Sequence, residues 1–521
     1  MIPRLACLIL ALSLPAVVRA QSASEPRAHA ERSGYVETSS YADVVAFLVE
    51  MAGRGVAVDT FGYSFEGRAL PVAKWGRGPT RVLVFANIHA GEVEGKEAAQ
   101  IFVRELAGGE HDAWRDSLTL WIAPIYNADG NERVSLDNRP LQHGPIGGMG
   151  QRPNAQNLDL NRDFMKLEAP ETRSLVGVMR EFDPHVVVDL HTTNGTVHAY
   201  HLTYAPPLHP ATDGSIDRYT RETWLPAVTA AVAPTWLIYH YGNLPDAGVG
   251  GADDPSVERG WYTFDHRPRF STNYVGLRNR FGILSEAYSY LPFEERIAVT
   301  ERFVEALLDF TAANGAAIRQ ATAAADERSL AGEDLPLRAQ VARSAEEAEI
   351  LLGEVAEERH PYTGRVMLRR LDVVRPERMP QYLHFQPTET ERVPGAYLVP
   401  AALADAIEVL TAHGLRIFTL PRDETLAVEV FRITGSSQSE REFQGHRERT
   451  LEGRWEGERR ELPAGTVVVP LDQPLARLAF LLLEPRSDDG LVAWNFFDVE
   501  LEGAPIYPVL RMPGPPPVYA Q

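Results

Sequence analysis

The sequence contains almost no cysteine, since Cys7 is the only one among 521 residues. A single thiol excludes an internal disulfide, and it also excludes a zinc site built from several cysteines. The stability of the fold must therefore come from hydrophobic cores or from a bound metal. A chain of this length can bury two sizeable cores.

Long apolar runs are also scarce, and the exception stands at the N-terminus as "MIPRLACLILALSLPAVVRAQ". Arg4 precedes an apolar stretch over residues 5–18, and the small residue Ala20 follows that stretch. This order is typical of a secretory signal peptide, and the stretch is too short for a retained membrane span. We therefore expect a signal peptide over residues 1–20, cleavage after Ala20, and a secreted or periplasmic mature chain without a membrane span.

Basic residues are fewer than acidic ones. Lysine and arginine together number 51 against 71 for aspartate and glutamate, which gives a formal net charge of −20. Nucleic acids and anionic membranes bind through clustered Lys and Arg side chains, so this balance argues against both as partners. The charge balance does not indicate a substrate, and nothing in the sequence indicates an oligomeric state.

Strand-like and helix-like patterns alternate between residues 35 and 325. The runs "RVLVFANI", "LTLWIAPIY", "HVVVDLH" and "FGILSEA" are apolar enough to be strands buried on both faces. The segment "EVEGKEAAQIFVREL" instead has apolar residues at helical spacing. This alternation predicts an α/β domain over residues 35–325, with a mixed, mostly parallel central sheet flanked by helices.

The pattern changes beyond residue 335. Short strand candidates such as "GAYLVP", "LAVEVFRI", "TVVVPL" and "LAFLLL" are separated by Pro and Gly, and few helical segments interrupt them. We predict a second, β-rich α+β domain over residues 335–521. No residue pattern in it indicates a functional site, so we interpret it as an accessory domain.

Polar side chains follow three of the predicted strands. His89 and Glu92 stand in "HAGE", His191 in "DLH" and Glu286 in "LSEA". In α/β sheets, ligands bind at the carboxyl ends of the strands, so these side chains are expected to share one site. Taken alone, the His89–Glu92 pair is more typical of a turn, and His191 is more typical of a structural residue, than of a metal site. Together, two imidazoles and a carboxylate suit Zn²⁺ with a fourth position open for water.

A short loop over residues 152–164, "RPNAQNLDLNRDF", concentrates further polar side chains. Its candidate residues are Arg152, Asp159, Asn161 and Arg162. Arginine and asparagine side chains can clamp a carboxylate together, the arginine through two parallel hydrogen bonds. The loop therefore predicts a site for a carboxylate-bearing ligand.

At this point the sequence resembles the M14 family of zinc carboxypeptidases, the carboxypeptidase A-like enzymes, over about residues 35–310. The segments that carry the resemblance are, in order, "FGYSFEGRALPVAKWG", "HAGE", "YNADG", "LDLNRDF", "DLH" and "LSEA". Ala128 in "YNADG" departs from the family's Asn-Pro-Asp-Gly turn. The resemblance implies a secreted metallocarboxypeptidase that hydrolyses the last peptide bond of a peptide with a free C-terminus.

The resemblance also implies roles for the polar residues. One Zn²⁺ would be held by His89, Glu92 and His191, which is the two-His-one-Glu set known for carboxypeptidase A. Asp159 would orient the imidazole of His89 from the side away from the metal. Glu286 would be the general base that takes a proton from the attacking water.

The family's substrate-binding residues can be carried over in part. Asn161 and Arg162 would hold the terminal carboxylate of the peptide. Arg152 would face the oxygen that becomes negative in the tetrahedral intermediate. Arg133 and Arg139 are rival candidates for that role, because both lie in the same part of the sequence.

Two family features have no clear match. The family has a tyrosine near the substrate terminus, and here Tyr262 and Tyr274 are both in range of the glutamate base. The segment that should shape the side-chain pocket, "GWYTFDHRPRFSTNYVGLRNR", does not indicate which side chain the enzyme prefers.

Two other functions compete with a peptidase. "DLHTTNG" and "HAGEVEGKE" also resemble the succinylglutamate desuccinylase and aspartoacylase-like deacylases, which hydrolyse an N-acyl amino acid with a similar zinc set. A binding module that retains only the fold is the third alternative, and it would lack zinc. The entry segment "RALPVAKWG" and the export signal favour the peptidase.

Overall fold

One large sheet forms the centre of the first half of the chain. The computed structural model describes residues 26–193, 195–245 and 257–517, so the predicted signal peptide over residues 1–20 lies outside the described residues. The strands of this half are β1 (Ala57–Tyr63), β2 (Ala69–Gly76), β3 (Thr80–Ala86), β4 (Leu118–Ala123), β5 (Val186–Thr193), β6 (Leu202–Ala205), β7 (Ile238–His240), β8 (Trp261–Tyr262) and β9 (Phe281–Tyr288). Its helices are α1 (His29–Arg32), α2 (Tyr41–Ala52), α3 (Glu94–Gly108), α4 (Ala128–Glu132), α5 (Pro170–Glu181), α6 (Gly214–Tyr219), α7 (Leu225–Val232), α8 (Ser271–Leu277) and α9 (Phe293–Glu327).

The sheet has eight strands in the order β1-β2-β4-β3-β5-β9-β6-β7. The pairs β3–β4, β3–β5, β5–β9 and β6–β7 are parallel. The pairs β1–β2, β2–β4 and β6–β9 are antiparallel. The predicted mixed, mostly parallel α/β sheet is therefore confirmed. The four apolar runs predicted as doubly buried strands form its central strands β3, β4, β5 and β9.

Helices cover both faces of this sheet, which explains why its central strands are mainly apolar until they near their carboxyl ends. Every residue of β5 is buried. Gly95, in the first turn of α3, lets that helix lie against β5, because a Cβ at this position would come within 2.7 Å of the Cβ of Leu190. This close approach holds the loop between β3 and α3 beside the end of β5.

The second half of the chain is rich in antiparallel strands. Its strands are β10 (Asp334–Ala342), β11 (Ala348–Leu352), β12 (Val355–Arg359), β13 (Val366–Arg370), β14 (Arg375–Met379), β15 (Gln381–Tyr382), β16 (His384–Arg392), β17 (Ala396–Val399), β18 (Phe418–Thr419), β19 (Glu424–Gln438), β20 (Arg449–Leu462), β21 (Val467–Pro470) and β22 (Leu510–Met512), and its helices are α10 (Ala404–Ala412), α11 (Ala476–Leu483) and α12 (Asp498–Leu501). Six strands form one sheet in the order β18-β21-β17-β22-β19-β20. This confirms the predicted β-rich α+β character.

One strand prediction in this half is wrong. The segment "LAFLLL" belongs to helix α11, not to a strand. Its eight residues, "ARLAFLLL", are all buried, so the run shows no polar face that would reveal a helical or strand period. Leu, Ala and Arg favour helices, and the segment contains no β-branched residue.

The two halves share part of their core. One hydrophobic cluster contains Leu83 and Phe85 of β3 together with Tyr397 and Val399 of β17. Strand β15 also pairs in parallel with β8 through Gln381 and Trp261. The division at residues 325–335 stays a prediction. In the described part of the chain, no helix is both long enough and apolar enough to cross a membrane.

Candidate metal centre

The candidate residues stand where three neighbouring parallel strands end. His89 and Glu92 lie in the turn between β3 and α3, and His191 lies near the end of β5. Glu286 lies near the end of β9, directly opposite His191 in the β5–β9 register. Because β3, β5 and β9 are adjacent and parallel, their carboxyl ends meet at one edge of the sheet.

His89, Glu92 and His191 form a compact cluster. The Nδ1 atom of His89 lies 3.0 Å from Glu92 Oε1, and Nδ1 of His191 lies 2.9 Å from Glu92 Oε2. One ligand atom from each residue lies within 4.8 Å of the other two, and all three side chains are buried. Two nitrogens and a carboxylate oxygen this close together fit one zinc ion.

The electrostatics of Glu92 match the role of an anionic ligand. Burial raises its pKa, but the charges of His89 and Arg139 and the hydrogen bonds from both imidazoles outweigh burial and hold the pKa well below its usual value. Glu92 is therefore a carboxylate at neutral pH, the form that binds a metal.

Each imidazole has a carboxylate on its far side. His89 Nε2 donates a hydrogen bond to Asp159 Oδ1 at 3.0 Å, the partner that the resemblance implies. Nε2 of His191 lies 2.8 Å from Asp189 Oδ2, a partner that the sequence analysis missed. Both carboxylates turn Nδ1 of the histidine toward Glu92. The "DLH" spacing was the available signal, because alternate residues of a fully buried strand lie on one face.

Asp159 is also hydrogen-bonded within its own loop, residues 152–164. Its Oδ1 atom accepts a hydrogen bond from the backbone N–H of Asn161 at 2.9 Å, and its Oδ2 atom accepts one from Arg152 Nε at 2.9 Å. The charges of His89 and Arg152 outweigh burial and hold the pKa of Asp159 well below its usual value. This carboxylate therefore connects a candidate metal ligand to the "LDLNR" loop.

The predicted residues line a cleft of about 570 Å³, in the size range of small-molecule and peptide-residue sites. The structure brings together in this cleft all of the predicted metal ligands and Glu286, and also Arg152, Asn161 and Arg162. Burial raises the pKa of Glu286 to about 8, against the opposing charge of His191.

The "LDLNR" loop faces the cleft from one side. The guanidinium of Arg162 lies 3.9 Å from the ring centroid of Phe270, and its Nη1 atom donates a hydrogen bond to the backbone oxygen of Asn161. Asn161 Oδ1 accepts a hydrogen bond from the backbone N–H of Ser271, which leaves the amide nitrogen of Asn161 for other partners. The side chain of Arg152 is 46% exposed, so its guanidinium is accessible from the cleft.

The rival arginines occupy different places. Arg133 pairs with Glu66 at 2.8 Å on the exposed surface. Arg139 donates hydrogen bonds to Glu92 Oε1 at 3.0 Å and to the backbone oxygen of Thr192. Of the three candidates, Arg152 is the one that lines the cleft.

The two candidate tyrosines also lie in different places. Tyr262 lines the cleft, and its hydroxyl donates to the backbone oxygen of Glu258. Tyr274 is fully buried, and its hydroxyl contacts His413 Nδ1 at 2.8 Å on the side of the second half of the chain. Tyr241, which no motif marks in the sequence, also lines the cleft. Burial and the charge of Glu286 raise its pKa to about 12.

Comparisons with known proteins agree with this site. A family model described as zinc carboxypeptidase, Peptidase_M14, matches residues 43–223. The chain is 24% identical over 448 residues to Carboxypeptidase 2 of Trichophyton equinum, and this match covers 83% of this chain and 76% of that protein. It is 33% identical over 144 residues to Carboxypeptidase Z of Homo sapiens, and this match covers 25% of this chain and 22% of that protein.

A solved structure of a metallo-carboxypeptidase from Burkholderia cenocepacia is also similar. The match has 17% sequence identity and a TM-score of 0.40, and it covers 52% of this chain and 69% of that one. The family match includes His89, Glu92 and His191, which the fold brings together. Residues 43–223 therefore form a zinc carboxypeptidase domain of the M14 type, the domain of a peptide-bond hydrolase.

Proposed function

We propose that the protein is a metallocarboxypeptidase that removes the last residue of peptides with a free C-terminus. The observation that carries this proposal is the convergence of His89, Glu92 and His191 beside Glu286 in one cleft. A donor set with two imidazoles and one carboxylate leaves a coordination position open, which distinguishes catalytic from structural zinc sites.

His89, Glu92 and His191 would hold the zinc ion. When bound, zinc lowers the pKa of a coordinated water and polarises the scissile carbonyl. Asp159 and Asp189 hold the two imidazoles from behind, so that each presents Nδ1 to the ion with little reorganisation.

Glu286 is the proposed general base. Its carboxylate takes a proton from the attacking water and delivers it to the leaving amine. A base is most effective when its pKa is near the working pH, and burial moves the pKa of Glu286 in that direction. Its position opposite His191 in adjacent strands keeps it beside the metal ligands.

Arg152 and Arg162 bind two different negative charges of the substrate. Arg152 faces the oxygen that becomes negative as the water adds to the carbonyl, and Asp159 fixes its guanidinium. Arg162 and Asn161 bind the terminal carboxylate of the peptide. Because they lie in the same short loop, the distance between the two charges sets which bond is cleaved, namely the last one.

The organisation of the chain is part of the proposal. Residues 35–325 are the catalytic domain, residues 335–521 are an accessory domain, and residues 1–20 direct export. The export proposal depends on the sequence pattern alone, and N-terminal sequencing of the secreted protein tests it by the position of cleavage.

The test combines metal analysis of the purified protein with a peptide library. We expect about one zinc ion per chain and release of only the last residue of each peptide, with no release from the corresponding C-terminal amides. Glu286→Gln should abolish release while zinc remains bound. Glu295→Gln, which changes an exposed glutamate at the start of α9, is the matched control and should retain activity.

Three results would overturn the proposal. Turnover of N-acyl amino acids without peptide cleavage would indicate a deacylase. Cleavage at internal bonds would exclude an exopeptidase. A protein that binds no zinc would be a binding module with the fold of the family.

A further inference from the structure

A long hairpin from the second half of the chain reaches the metal centre. Strands β19 and β20 pair in antiparallel over most of their length, from Glu424 opposite Leu462 to Gln438 opposite Arg449. Beyond that pair the chain continues to a tip at residues 439–448. The backbones of Phe443 and His446 exchange two hydrogen bonds there, which closes a two-residue turn.

The turn has an unfavourable residue at its first central position. Gln444 and Gly445 have φ angles of +52° and +82°, the pattern of a type I′ turn. Glycine and asparagine adopt such angles readily, whereas other side chains do so at a conformational cost. A glutamine at this position therefore needs a compensating contact.

That contact is made with the metal centre. The backbone N–H of Asp159 donates a hydrogen bond to Gln444 Oε1 at 2.7 Å, across 285 positions of sequence. Because a backbone N–H can only donate, the amide oxygen of Gln444 must face Asp159. The same Asp159 accepts hydrogen bonds from His89 Nε2 and from Arg152 Nε.

The hairpin tip is held firmly enough to act as a support. His446 Nε2 lies 2.8 Å from Glu168 Oε1, and its Nδ1 lies 3.1 Å from Asn495 Oδ1. Arg269 Nη1 donates to Glu448 Oε1 at 2.6 Å. These contacts tie the tip both to the first half of the chain and to the residues around helix α12.

A second path leads from the tip to the "LDLNR" loop. Arg269 is buried, and it also pairs with Asp489 at 2.8 Å. It precedes Phe270, whose ring lies against the guanidinium of Arg162. The tip therefore contacts the loop directly through Gln444 and indirectly through Arg269.

We propose that the β19–β20 hairpin tip completes the metal centre, with Gln444 as a positioning residue that holds the backbone of Asp159. Gln444 is not among the residues that line the cleft. It fixes the place from which Asp159 orients His89 and Arg152, which gives the second half of the chain a role in the proposed catalysis. The kinetic part of this inference rests on the proposed function, whereas the zinc-binding part does not.

The test uses the full-length chain with Gln444→Asn. Asparagine is favoured at a positive φ but is one methylene too short to reach Asp159, so the turn should keep its stability while the hydrogen bond to Asp159 breaks. We expect an unchanged or higher melting temperature and faster hydrogen exchange at the Asp159 amide. We also expect zinc affinity to fall about tenfold, the low end of the range for partners of metal ligands.

Two further variants make the test specific. Gln444→Glu keeps both the length and an acceptor oxygen, and it should restore slow exchange and zinc affinity. Gln438→Asn is the matched control, because Gln438 lies in the same hairpin and its side chain donates to Asp498 at an exposed site. It should behave like the unchanged protein.

The outcomes separate this inference from the proposed function. If hydrogen exchange at the Asp159 amide and the zinc affinity are both the same in Gln444→Asn as in the unchanged protein, the inference is wrong. If exchange and zinc affinity change as expected while no peptide is cleaved by any variant, the positioning role stands and the peptidase proposal falls. If peptides are cleaved, Gln444→Asn should lower kcat more than it raises KM.

Discussion

Replacing Asp159 with asparagine should weaken zinc binding without unfolding the protein. In the structure its carboxylate accepts hydrogen bonds from His89 Nε2 and the Asn161 N–H on one oxygen, and from Arg152 Nε on the other. Asparagine keeps the size of the side chain but has only one acceptor oxygen. Its NH₂ group must therefore face either His89 or Arg152, and both of these are donors.

The size of the effect depends on which hydrogen bonds the substitution breaks. Replacing the carboxylate partner of a metal-bound histidine typically lowers metal affinity about 10- to 100-fold. Asp159 supports a ligand and an arginine together, so we expect a value near the upper end, about 2.7 kcal/mol of binding free energy. The substitution also removes the attraction of the negative charge for the metal.

The assay is competition for zinc with a chelator of known affinity. Asp129→Asn is the matched control, because Asp129 is also buried and accepts hydrogen bonds from Ser64 Oγ and Arg68 Nη1 away from the cleft. The control should lower the melting temperature and leave zinc affinity unchanged. If Asp159→Asn binds zinc as tightly as the control does, the argument that Asp159 orients His89 is refuted.

Four other outcomes are expected. His191→Ala should remove zinc as well as activity, as metal analysis would show. Arg162→Met should retain zinc but raise KM for free-acid peptides about 10- to 100-fold, because hydrogen bonds to charged groups contribute about 1.5–3 kcal/mol. A KM equal to that of the unchanged protein would contradict the assignment. Burial raises the pKa of Glu286 to about 8, so the base becomes protonated as pH falls, and kcat/KM should fall as pH falls through that range. A rate that is independent of pH between about pH 5 and 8 would exclude Glu286 as the base. Gly95→Ala should push α3 away from β5 and weaken zinc binding, because the new Cβ would lie 2.7 Å from the Cβ of Leu190. An unchanged zinc affinity would show that the turn between β3 and α3 adjusts.

The central strands and their polar ends could be predicted because both signals are local. Strands β3, β5 and β9 are short apolar runs, and His89, His191 and Glu286 stand at fixed offsets from them. That β3, β5 and β9 are neighbours is seen only in the structure, and as neighbouring parallel strands they end at the same edge. Helix α11 was missed for the opposite reason, because a segment buried on all sides shows no period.

Other contacts at the site depend on long-range packing. Tyr241 has no motif around it, and it joins the cleft because β7 lies at the edge of the sheet next to β6. The resemblance favoured Arg152, which precedes the "LDLNR" loop, but left Arg133 and Arg139 as rivals. The fold places Arg152 in the cleft, Arg133 at the surface and Arg139 against Glu92. The choice among them is a matter of loop path, which short sequence segments do not encode.

The sequence by itself determined the α/β class, and it supplied the candidate metal ligands and the segments expected to share a site, because periodicity and donor chemistry are properties of a few adjacent residues. Only the tertiary structure decided that the second half of the chain reaches that site. The contact between Gln444 and Asp159 spans 285 positions, and it depends on where a long hairpin is anchored by the shared core. No local pattern specifies such a contact, since it is the packing of whole sheets that fixes the distance between the two residues.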